Sequence, residues 1–185
     1  MYHIKNDKRA QASSELICAG LLACMKEKPF ARITITDVQR ASTVSRSTFY
    51  RNFDCLEDVL ALLCDRGFQA VFTEYNALPP AQRGSLAKAV FQYWFRNSAV
   101  LEALVQIHRT DILFDSLRRS SGLIEALQPM ADDPARFDYF VAIITSSMIG
   151  VLTVWVEHGK TETENQMVQK LTSTFIEMAI LELPG

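Results

Sequence analysis

Residues 33–53 read ITITDVQRASTVSRSTFYRNF, and this stretch decides the fold. Thr34-Ile35-Thr36-Asp37 is a capping arrangement in which the Thr34 hydroxyl accepts from the Asp37 amide and opens a short helix through residue 41. Ser42-Thr43-Val44 leaves room only for a turn, and Ser45 caps a second helix that runs through Phe53. Two short capped helices joined by three residues make a helix-turn-helix. Phe49 and Phe53, four apart, share a face with Val44 just upstream and with Val38 on the first helix, so that face belongs to a core.

The remaining surface of the second helix then shows Arg46, Ser47, Thr48, Tyr50, Arg51 and Asn52, and no acid. Two guanidinium forks, three hydroxyls and an amide suit a phosphate-lined groove. Arg pairs bidentately with guanine, and hydroxyls and amides bond phosphates or base edges. The helix N-terminus itself attracts phosphate. A solvated polar helix of an ordinary bundle usually mixes Glu or Asp into such a face.

Charge follows the same division. Residues 1–53 hold nine basic and four acidic side chains, leaving ten basic and seventeen acidic for 54–185, although the whole chain nets only −2. A basic head on an acidic body is the layout of a protein whose first segment meets a polyanion.

Residues 33–57 resemble the DNA-binding domain of the TetR/AcrR family of bacterial transcriptional regulators. The likeness lies in Thr34-Ile35-x-Asp37-Val38, then Val44-Ser45-Arg46-Ser47-Thr48-Phe49-Tyr50-Arg51-x-Phe53, then Glu57-Asp58-x-Leu60. It is strong over roughly the first 65 residues; beyond them only length, the all-helical pattern and a final pair of long helices match. The resemblance implies a homodimer on palindromic double-stranded DNA, usually a repressor released by a small molecule. It carries DNA contact onto Thr36, Ser45, Arg46, Ser47, Thr48, Tyr50 and Asn52; Arg51 joins them as an exposed base on the same helix. Thr43 stands where the family often has Gly, Ser42 where it often has Ala, and Asn52 where His is frequent. Asp54 and Leu56 stand where many members carry Lys, the second a phosphate contact. Leu56 is therefore read as a lost contact, the alternative being that it packs inward. The rival function is a coactivator-like family member that docks on another protein, with which Asp54 and Leu56 agree.

With 185 residues, 49% of them hydrophobic, the chain can bury a sizeable core. Helix signals predict about nine helices and no sheet: 7–27 stopped by Pro29, the two short helices, 56–75, 85–96, 99–108, and 111–127 with a weak point at Ser120-Ser121-Gly122. A long helix opens at Asp133-Pro134 and stops at Gly159, and a last one is capped by Thr161 with Glu164 and runs to about residue 183, before Pro184. The fold class is all-α: a three-helix DNA-binding domain over 1–55 and a helical ligand-binding and dimerisation bundle over 56–185.

Residues 139–156 carry no charge, at the edge of transmembrane length. Thr145, Ser146, Ser147, Gly150 and Thr153 interrupt them and no positive asymmetry flanks them, so no membrane is expected and the helix reads as buried between protein neighbours. The apolar run 16–25 is too short, and its approach too acidic, for a leader. The expected dimer surface is Phe140, Ile144, Met148, Val151 and Trp155 with Leu171, Phe175 and Met178; burial within one subunit is the alternative. Candidate lining for a small-molecule pocket is Phe91, Trp94, Phe95, His108, Phe114 and Phe140, although aromatics at such spacing are mostly core. His3, His108 and His158 have no carboxylate, Ser or Cys partner at readable spacing, so no enzyme, metal site or cofactor is expected. Cys18, Cys24, Cys55 and Cys64 lack metal spacing and read as reduced thiols of a cytoplasmic protein.

Overall fold

The computed structural model describes residues 2–127 and 134–181, and among them every regular element is helical. The N-terminal helices are α1 (Lys8–Glu27), α2 (Ile35–Ser42) and α3 (Arg46–Asn52). The long α4 (Leu56–Ala77) is followed by α5 (Leu86–Arg96), α6 (Ser98–Gln106), α7 (Thr110–Arg119), α8 (Ser121–Leu127), α9 (Pro134–Glu157) and α10 (Glu164–Leu181).

The caps explain most of these boundaries. Asp7 accepts the Ala10 amide at 2.8 Å to open α1, and Ser85 accepts the Lys88 amide at 3.3 Å to open α5. Gly159, at φ 76, ends α9: its amide bonds the Val156 carbonyl and the Lys160 amide bonds Trp155, the paired return of a Schellman ending. Two expectations are corrected. The 111–127 segment is two helices, α7 and α8, because Ser120 turns extended; the described residues thus hold ten α-helices rather than nine. The box opening α10 is Thr163 with Gln166, two residues later than Thr161 with Glu164. Glu162 is held in the loop by Trp155 Nε1 on its carbonyl at 3.1 Å and by Lys170 on its carboxylate at 2.7 Å. Asp133 and Pro184 lie outside the described residues.

α1 lies across α2, and α4 joins this head to the rest. Arg66 on α4 reaches back to α1, bonding Ser14 Oγ at 3.2 Å and pairing with Glu15 at 2.9 Å. On its other sides α4 meets α5, α7 and α8; α9 covers α6 and α7, and α10 lies along α5. One continuous apolar cluster runs from Ile17 and Leu21, through Phe49, Phe53 and Leu60, to Trp94 and Leu152. The segment Arg136–Glu157 is long and apolar enough to cross a membrane by length and composition; one side of it is packed, with Val141, Thr145, Met148 and Leu152 all buried.

The α1–α2 crossing depends on a missing side chain. A Cβ on Gly20 would stand 2.8 Å from Ser42 Cβ and 3.1 Å from the Val38 carbonyl oxygen, both on α2. Gly20→Ala should therefore cost about 1–3 kcal/mol through the forced separation, outweighing alanine's advantage in a helix of about 1 kcal/mol. Urea unfolding that finds the variant more stable than the parent by about 1 kcal/mol, alanine's full helix advantage, would show that the crossing yields without cost.

Candidate nucleic-acid interface

The candidate interface is built on α2, the turn after it, and α3. Thr34 Oγ1 accepts the Asp37 amide at 3.2 Å while Asp37 Oδ2 accepts the Thr34 amide at 2.8 Å, a closed capping box. Lys28, from the end of α1, joins the same carboxylate at 2.7 Å. Its ammonium, and then the Thr34 bonds, hold the Asp37 carboxyl well below the usual carboxylate range. The stabilisation this pairing gives is present above that usual range and lost as pH falls through the depressed value.

Ser45 caps α3 by accepting the Thr48 amide at 3.2 Å, and its hydroxyl lies 3.0 Å from Ser47 Oγ and 2.9 Å from Thr48 Oγ1. Phe49 and Phe53 are wholly buried with ring centroids 5.8 Å apart. Anchoring those rings turns Arg46, Ser47, Tyr50 and Arg51 outward, with Ser45 and Thr36 also exposed and Thr48 half-buried. The Arg46 guanidinium lies 5.5 Å above the Tyr50 ring and 3.4 Å from its hydroxyl, so the two form one planar, cationic patch. α3 contains no acid.

Two expected positions are corrected. Asn52 is 1% exposed, and its amide donates to the Thr48 carbonyl at 2.8 Å, so it locks the end of α3 from inside and presents nothing outward. Three residues after Phe49, Asn52 stands about 60° around the helix from it and shares its buried side. Leu56 is 9% exposed within the core, the inward-packing alternative, and so is not a vacant phosphate contact.

In the second half, Phe91 and Trp94 are fully packed, Trp94 against Phe68 at 5.2 Å between ring centroids. Phe95 is half-buried and stacks on Trp155 at 4.0 Å; Phe114 is half-buried on α7; His108 is exposed at φ 56 just past α6. Of the six candidate pocket residues only Phe140 borders a described opening, an apolar groove of about 530 Å³ shared with Tyr75, Leu86, Ile144, Met148, Leu171 and Phe175. A more polar cleft of about 590 Å³ lies between α4, α7 and α8, with Asp65, Gln69, Asn76, Ser116, Arg119 and Glu125 in its wall. Sequence reasoning missed it. Its one readable trace is the polar series Asp65, Gln69, Thr73 and Asn76, spaced three and four apart on α4.

On α9, Met148 and Trp155 are buried within the subunit, and Ile144 and Val151 are half-buried, as are Leu171 and Phe175 on α10. The Met178 side chain lies outside the described residues. The outward apolar stripe is displaced one residue from the expected one: Tyr139 is 75% exposed, Ile143 53% and Val154 46%, with Gly150 between them and Ile176, at 56%, on α10. Burial pushes the Cys18 thiol up to about 11 and the Cys64 thiol higher still, so neither is a poised thiolate.

These features define a helix-turn-helix head on an all-helical body, the build of a DNA-binding regulator. A family model described as a transcriptional regulator C-terminal region, of TetR type, matches residues 85–177. The chain belongs to the TetR family of transcriptional regulators. Its fold is similar to that of a TetR transcriptional regulator from Streptococcus agalactiae 2603V, at TM-score 0.60 and 19% identity over 91% of this chain and 96% of that one. It is also similar to Lin0861 from Listeria innocua, at TM-score 0.73 and 16% identity over 95% and 96%. At these identities the likeness is one of fold. Among curated proteins none matches the chain.

Thr43, the first residue past α2 and part of the turn, sits in the left-handed region at φ 57 and ψ 18. A β-branched side chain is strained there by about 1–2 kcal/mol, whereas glycine's extra unfolded-state freedom costs about 0.4–1 kcal/mol. Thr43→Gly should thus raise stability by about 0.5–1 kcal/mol, visible as a higher melting temperature by circular dichroism. A lower one would place a compensating Thr43 contact above the backbone strain.

Proposed function

We propose that this family member reads palindromic double-stranded DNA as a cytoplasmic homodimer and acts as a repressor released by a small molecule. Residues 1–55 would be the reading head and 56–185 the ligand and dimer half. The observation that carries the reading is the acid-free outer face of α3, where Arg46, Ser47, Tyr50 and Arg51 project from a helix fixed by two buried rings. Arg46 and Arg51 supply bidentate donors for guanine or phosphate, Ser47 and Tyr50 supply hydroxyls, and Ser45, Thr48 and Thr36 border the patch. The clefts beside α4 and between α9 and α10 offer the effector room.

The test is selection of bound sites from random duplexes, followed by a salt titration on the selected site. Specific binding should weaken linearly in log salt by about 0.9 per phosphate neutralised. Arg46→Ala should lower specific affinity by about 1–3 kcal/mol and relax preference at one base pair, with the melting temperature barely moved. Absence of binding to any duplex at low salt would favour the coactivator reading.

The exposed stripe Tyr139, Ile143, Gly150 and Val154 supports pairing of α9 and α10 with the same helices of a second copy as a four-helix bundle. Light scattering should give about twice 20.9 kDa. Ile143→Arg should give the monomer mass, since it places an unpaired charge in the joint while sparing the subunit core. A dimeric Ile143→Arg protein would move the interface elsewhere.

A further inference from the structure

Asp65 on α4 is where three elements meet. Its carboxylate accepts from the Tyr2 hydroxyl and from Ser116 of α7, and Arg119 of α7 lies 3.7 Å away. One residue after Tyr2, the His3 amide donates at 3.0 Å to the carbonyl of Asn52, the last residue of α3. His3 Nε2 also stands 3.8 Å from Asp54. Tyr2 and Ile4 are half-buried against the core, so segment 2–5 is anchored on both sides of that amide.

Helix ends give these contacts weight. The last four carbonyls of a helix have no intrahelical donor, and in a seven-residue helix they are more than half of the total. The Phe49 carbonyl takes the Phe53 amide, and the Asn52 carbonyl takes His3. The N-terminal segment thus completes α3 from outside the helix-turn-helix. At its other end Tyr2 answers to α7, because Asp65 and Arg119 also line both the cleft between α4, α7 and α8 and a smaller one of about 360 Å³ that Tyr2 borders. Burial, then the bond to Asp65, pushes the Tyr2 phenol up to about 12, so it remains a donor through the physiological range.

We propose that Tyr2 and Asp65 are positioning residues for the reading helix: segment 2–5 is a strap that transmits the state of the α4–α7 wall to the end of α3. When α7 or the Asp65 carboxylate shifts, the half-buried Tyr2 hydroxyl loses its acceptor, and the strap loosens together with its bond to Asn52. The consequence for DNA rests on the function proposed above, but the mechanical link does not, and it is tested without DNA.

Hydrogen exchange read by mass spectrometry on the full chain decides it. Tyr2→Phe keeps the ring and removes only the hydroxyl; His3→Pro removes the amide donor to Asn52 together with the imidazole beside Asp54, and His3→Ala, which loses the imidazole but keeps the amide, is its control. Tyr2→Phe and His3→Pro should each speed exchange across residues 46–53 by about threefold to tenfold while residues 86–106 stay as in the parent. Adding Asp65→Asn to Tyr2→Phe should add nothing further over 46–53, since both break one link. Affinity for a selected duplex should fall by a similar factor with an unchanged slope in log salt, because no phosphate contact is removed. Unchanged exchange over 46–53 in both Tyr2→Phe and His3→Pro would overturn the strap, as would equal acceleration everywhere, the mark of general destabilisation. Faster exchange at 46–53 in a protein that binds no duplex would uphold the strap and overturn only the DNA reading.

Discussion

Burial of the Phe49 and Phe53 rings is the interaction on which the rest depends. α2 and α3 have eight and seven residues, well short of the length at which a helix is stable alone in water. They persist because two aromatic rings, with Val38, are wholly buried in the same apolar cluster as Ile17 and Leu21 of α1, which packs on both helices. The same burial fixes rotation. With both rings inward, Arg46, Ser47, Tyr50 and Arg51 have only the outward arc to occupy. Core packing and the composition of the exposed face are two descriptions of one constraint.

The ends of these short helices are closed one group at a time. Thr34, Asp37 and Lys28 meet at the start of α2, Ser45 at the start of α3, and the Asn52 side chain with the His3 amide at its end. One joint remains strained, Thr43 at positive φ, where a β-branched side chain occupies a conformation that glycine adopts freely. Just before it, Ser42 lies so close to Gly20 of α1 that a Cβ on Gly20 would stand 2.8 Å from the Ser42 Cβ.

α9 shows how an apolar helix can satisfy two demands. Its inner face, with Thr145, Met148, Leu152 and Trp155, closes the core against α6 and α7; its outer face, with Tyr139, Ile143 and Val154, stays uncovered in the single chain. The uncharged run follows from both faces carrying apolar side chains, and periodicity alone cannot say which is which. The stripe that periodicity suggests is therefore one residue, about 100° of rotation, from the exposed one.

What sequence alone determined was local. Ser, Thr and Asp caps, proline stops and the Gly159 ending depend on groups within five residues of one another, so most helix bounds and the helix-turn-helix were legible in the chain. The all-helical class followed from the same signals, and family membership agrees with the motif at residues 33–57. Tertiary structure alone decided three things. It turned Asn52 inward, because a helix shorter than two turns offers no second period to reveal its buried arc, and it packed Leu56, the first residue of α4, into the core. It split α7 from α8, where Asn76 of α4 holds the Gly122 carbonyl at 3.0 Å and a Cβ on Gly122 would strike Phe72. And it assembled the Asp65 junction from Tyr2, Asp65 and the α7 pair Ser116 and Arg119, which folding alone brings together.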